Sequence, residues 1–132
     1  VDADRNVSGA RGEGILKLGD EERPILFTIR ALADVETQLG KTVQKIGQSM
    51  QGEGLPLADL ARLTLTGLEA ARRDTYPGTR PYTIADAWAI IESMGFLPAT
   101  KAVFAAIGAA YNYDGSVADA NPPARPGIGG SS

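Results

Sequence analysis

The chain of 132 residues contains neither cysteine nor histidine. Their joint absence removes disulfides, thiolate nucleophiles, imidazole bases and the usual zinc ligands together. Hydrolase triads go with them, because Ser8, Ser49, Ser93 and Thr83 have no histidine to activate them. Aromatic residues are scarce, at 6% against 43% for all hydrophobic residues. The core must therefore come from aliphatic side chains, many of them alanine, on closely packed helices. No apolar run approaches the roughly 20 residues needed to cross a bilayer. The opening VDADRN also lacks the charged-then-apolar pattern of a secretory signal. Neither sign of charge dominates: 13 basic and 16 acidic residues give a net charge of -3, which offers phosphate backbones no general attraction. The expectation is a soluble, non-secreted chain with no cofactor, no nucleic acid partner and no membrane partner.

The chain is organised around Pro24 to Gly40, PILFTIRALADVETQLG. Ile25, Phe27 and Ile29 alternate with Leu26, Thr28 and Arg30, which is the period of a strand. From Leu32 the spacing changes, and Leu32, Val35 and Leu39 share one face of a helix. Gly40 ends that helix, because glycine tolerates the left-handed conformation that closes one. Upstream, Gly12 to Leu18 reads as a first strand, with Gly14, Leu16 and Leu18 on one face and Ile15 and Lys17 on the other. Gly19-Asp20-Glu21-Glu22-Arg23 reads as a polar turn, and Pro24 as the opening of the second strand. A two-stranded hairpin is marginal in water, so its apolar face must rest on helices.

Val43, Ile46 and Met50 predict a short second helix, stopped by Gly52-Glu53-Gly54. The third should start near Pro56 and run to about Arg72, with Leu57, Leu60, Ala61, Thr64, Gly67, Leu68 and Ala71 as its stripe. Gly67 inside it implies close approach of a neighbouring backbone, since glycine there costs about 1 kcal/mol relative to alanine. After the loop DTYPGTRP, Thr83 and Asp86 form a variant capping box. Ile84, Ala87, Trp88 and Ile91 give the next helix its buried face, and Gly95 its end. Pro98 opens a final helix to Tyr111, with Phe104, Ile107, Gly108 and Tyr111 on one side. From Asn112 the proline-, glycine- and serine-rich tail is too polar to bury a core. The fold class is thus α+β: an N-terminal antiparallel hairpin packed against a bundle of four to five short helices. A flexible arm is expected over 1–11, a single domain over 12–111 and a disordered tail over 112–132.

The residues carry little chemistry. Asp20, Glu21 and Glu22 sit together in a hairpin turn, which reads as solvated surface rather than a metal site. Arg72-Arg73 at a helix end answers the partial negative charge of its carbonyls. Gly12-Glu13-Gly14 and Gly52-Glu53-Gly54 lack the spacing and the lysine of a phosphate loop. Trp88 reads as core rather than a ligand platform.

The hairpin GEGILKL at 12–18, the strand-to-helix segment LFTIRALADVE at 26–36 and Leu39-Gly40 carry a family resemblance, together with Leu60-Ala61-Arg62-Leu63, Gly67-Leu68 and the helix around Trp88. In order and spacing they resemble the phage tail assembly chaperone family with its gene-transfer-agent members, a group also described as phage tail tube protein. The match spans about Gly12 to Tyr111. The resemblance implies a non-enzymatic role in tail morphogenesis, in a phage, a prophage or a phage-derived particle. The expected act is binding of the long helical tape measure protein in the bacterial cytoplasm until tube subunits surround it. Two alternatives stand beside it: a structural tail subunit retained in the particle, which could self-associate, and a small-molecule enzyme. The family supplies no catalytic residues. From position in the chain, the candidate partner-binding residues are Met50, Phe96, Phe104, Tyr111 and Tyr113.

Overall fold

The computed structural model describes residues 11–52 and 54–112. The expected arm therefore lies outside the described residues except for Arg11, and the expected tail, Tyr113 included, except for Asn112. The chain reverses in two residues, Gly19 and Asp20, because Gly19 takes a left-handed φ of 62°. This joins β1 (Glu13–Leu18) to β2 (Glu21–Leu26) in an antiparallel pair with Gly14 opposite Ile25 and Leu16 opposite Arg23. The turn is tighter than the letters suggested. Glu21, Glu22 and Arg23 belong to β2, and an Arg23–Glu21 ion pair of 2.6 Å sits beside the turn.

Pro24 lies within β2, opposite Ile15, rather than at its start. The Phe27 N–H donates to the Gly12 carbonyl at 2.8 Å. Alternation from that pair places Pro24 where its nitrogen faces away from β1, so the missing N–H costs the ladder nothing. The other edge of the hairpin is occupied at its turn end: the Lys17 N–H approaches Met94 Sδ at 3.3 Å, and the Gly19 N–H donates to Ser93 Oγ at 2.8 Å.

Strand alternation stops at Leu26, three residues earlier than Ile29 implied. Thr28 takes an extended backbone and its hydroxyl accepts from the Ala31 N–H at 3.0 Å, which starts α1 (Ile29–Leu39). Ile29 thereby falls in the first turn and is 67% exposed. Gly40 closes α1 at φ 67° as expected. Thr42 caps α2 (Val43–Gln51), whose first N–H also donates to the Glu36 carboxylate at 2.8 Å. The longest helix, α3 (Leu57–Thr75), runs beneath the hairpin and packs against α1, α4 and α5 as well. Thr83 and Asp86 complete the capping box of α4 (Ile84–Met94). Gly95 caps its end, and α5 (Phe96–Asn112) begins two residues before Pro98.

One core joins all seven elements. Leu16, Ile25 and Phe27 from the hairpin meet Leu32, Val35, Ile46, Leu60, Leu63, Leu68, Ile90 and Val103 from the helices. Each fully buried large side chain contributes about 1.5–3 kcal/mol. Small residues set the spacing. A Cβ on Gly67 would lie 2.9 Å from the Phe27 ring and 3.1 Å from Ile25 Cβ, so the close neighbours are strand side chains, not the backbone that its glycine suggested. Beneath β1, a Cβ on Gly12 would lie 2.7 Å from Ala110 Cβ, and one on Gly14 3.4 Å from Ala106 Cβ. The buried face of α5 is accordingly Ala99, Val103, Ala106, Ile107 and Ala110. No single helix among the described residues is long and apolar enough to cross a membrane; α4 and α5 meet that standard only as a pair bent by 115°.

Candidate functional site

The expected contact residues fall in different places. Met50 on α2 and Phe96 at the start of α5 are half-buried and pack against the core. Phe104 is half-buried beside α2, where a Cβ on Gly47 would lie 3.8 Å from its ring. Tyr111 is 49% exposed. Tyr113 lies outside the described residues. Phe104 and Tyr111 share a line one heptad apart on α5, and Leu97, 73% exposed, extends that line by another heptad. Gly108, on the same line, faces open space. The expectation that this side of α5 included buried Ile107 merged two neighbouring faces, because the alanines do the packing.

A shallow recess lies between α3 and α4. Ala58, Ala61, Arg62 and Leu65 from α3 and Ile84 and Trp88 from α4 line a cavity of about 310 Å³. Ala58, Ala61 and Leu65 recur at the spacing of a helix–helix seam. Ile84, expected in the core, is 43% exposed here, and Trp88 is half-buried with its ring on the wall. The capping box explains the position: Thr83 and Asp86 fix the first turn of α4, and Ile84 and Trp88 one turn apart then face the same cleft. The sequence carried only part of the signal, small residues at 58 and 61 on one side of a predicted helix; that they face Trp88 is set by the packing of α3 on α4. Small side chains leave room that larger ones on the facing helix do not fill.

Electrostatically the most organised region is the loop that leads into α4. Glu69 accepts from Arg72 Nε and Nη2, both at 2.9 Å, and from the Tyr82 N–H at 2.6 Å. Arg72 Nη1 donates to the Thr79 carbonyl at 3.0 Å. The two side chains are 15% and 10% exposed. Arg72 is thus engaged in holding residues 76–82, a different structural role from neutralising helix carbonyls, and it is not free to bind an anion. The Arg72 hydrogen bond holds the Glu69 carboxyl below its ordinary value of 4.5, with the Tyr82 amide adding to it against the opposing effect of burial. Asp86 is lowered likewise, first by the Thr83 N–H. Among the described residues no three of His, Cys, Asp and Glu converge on a point that could hold a metal. Comparison of the chain with family models, curated proteins and solved structures finds no match in any of the three.

Proposed function

We propose that this chain is a non-enzymatic tail morphogenesis protein, a tail assembly chaperone that holds the tape measure protein until the tube replaces it. The observation that carries the reading is the α3–α4 cleft. The exposed Ala58 leaves room beside Leu65, Ile84 and Trp88 for apolar side chains of an incoming helix. That is the shape of a helix-in-groove contact, and a long amphipathic chain supplies such helices repeatedly. The structural-subunit alternative would use sheet edges, and it has less support: Pro24 interrupts one edge, and α4 occupies the turn end of the other.

The test uses Trp88, the sole tryptophan of the chain. Titration with tryptophan-free helical segments of the tape measure protein produced alongside this chain should shift Trp88 emission to the blue as the ring leaves water. Ala58→Phe, at an exposed position on the cleft floor, should leave the fold intact and abolish the shift. If segments bind with Trp88 emission unchanged, or bind the Ala58→Phe protein equally well, the cleft is not the site. Retention of the chain at full stoichiometry in finished particles would favour the structural subunit instead.

A further inference from the structure

A second recess lies where the end of α3 emerges past the hairpin. Its floor is apolar: Ile15, Pro24, Ile25, Leu26 and Ala71 surround a cavity of about 370 Å³. Its rim carries Glu13, Glu22 and Asp74, with no cation among the lining residues. Arg11 pairs with Glu13 at 3.3 Å. Glu22, which lies opposite Lys17 across the hairpin, and Asp74 form no ion pair among the described residues. Asp74 is also misplaced for its own helix. It sits in the last turn of α3, where the backbone already presents negative charge, while Arg72 and Arg73 in the same turn are directed to Glu69. Ile15 remains 42% exposed on the apolar floor.

We propose that this recess docks a basic segment of a partner protein, with an arginine laid along it. The methylene stem of arginine packs on apolar surface while its guanidinium stays polar, which is the division between floor and rim seen here. The planar head then finds carboxylates with which it can form paired hydrogen bonds. Capture runs through the side chain rather than by strand addition, because Pro24 removes the central donor from the adjacent edge of β2. The site is independent of the α3–α4 cleft and shares no lining residue with it.

The probe is a short, dye-labelled peptide with arginines on either side of a leucine, followed by fluorescence anisotropy. Its control replaces both arginines with uncharged citrulline. The arginine peptide should bind, should weaken as salt is added, and should lose affinity by about tenfold in the Glu22→Gln, Asp74→Asn double variant. Neither side chain makes a hydrogen bond among the described residues, so both variants should fold, and an unchanged far-UV circular dichroism spectrum checks this. Ile15→Ser should weaken binding of the same peptide, while Ala58→Phe should leave it unchanged and so separates this site from the helix cleft. Equal affinity for the citrulline peptide, equal affinity of the double variant, or no binding at millimolar peptide each overturns the proposal.

Discussion

Three glycines inside helices have opposite expected responses to the same methyl group. At Gly67 a Cβ would press on the Phe27 ring at 2.9 Å, and Phe27 is fully buried. Gly67→Ala should lower stability by up to about 2 kcal/mol, since overpacking costs about 1–3 and helix propensity returns about 1. At Gly108 nothing lies within 4 Å, and at Gly47 the nearest atom is an ordinary contact at 3.8 Å. Gly108→Ala and Gly47→Ala should each raise stability by up to about 1 kcal/mol. Urea unfolding of the three proteins tests the sign in every case. Phe104→Ala belongs to the same scale. A buried phenylalanine would cost about 3–5 kcal/mol, so half-burial beside Gly47 should reduce the loss to about 1–2. A larger loss would place the ring in the core.

Residues 76–83 form the element most dependent on charge, because Glu69 grips Tyr82 and Asp86 grips Thr83. Both carboxylates have folded-state values below their unfolded ones. Their contribution is therefore complete above the ordinary carboxylate range and is lost as pH falls through the lowered folded values. Hydrogen exchange at the Tyr82 amide, measured relative to its intrinsic rate, should accelerate on acidification below the ordinary carboxylate range, before the core opens. Glu69→Gln should accelerate it at neutral pH by about tenfold, the loss of one charge-assisted bond at a solvent-screened site. An unchanged rate would mean that the loop is held by something else. Legibility also varied by element. Helix periods, the Thr83–Asp86 box and Gly40 were plain because they depend on neighbours a few positions apart. The beginning of α1 was not, because Phe27, Thr28 and Ile29 continue a strand alternation that the Thr28 cap overrides. The α3–α4 cleft was hidden for a different reason: whether Ile84 and Trp88 are covered depends on how far α3 stands from α4, a tertiary quantity.

Across the whole molecule the elements differ in how many others they brace. Among the described residues helix α3 touches the hairpin, α1, α4 and α5, whereas α2 rests only on α1 and α5. Native-state hydrogen exchange should therefore find α2 opening first and α3 last, with α3 near the global unfolding free energy. Equal protection in the two would contradict the packing. The hairpin-on-helices class was legible because marginal two-stranded sheets need support, whereas the alanine face of α5 was not, because alanine's size, rather than its hydrophobicity, brings Gly12 and Gly14 down onto it. That close approach has a mechanical consequence. Gly12 and Ala110 are neighbours although they stand near opposite ends of the described chain. A pull applied at these two points would load the β1–α5 seam one contact at a time, as a zipper is opened, instead of shearing it all at once. The same adjacency lets a short linker bridge them, so a circular permutant reopened between α2 and α3 should recover the same fold.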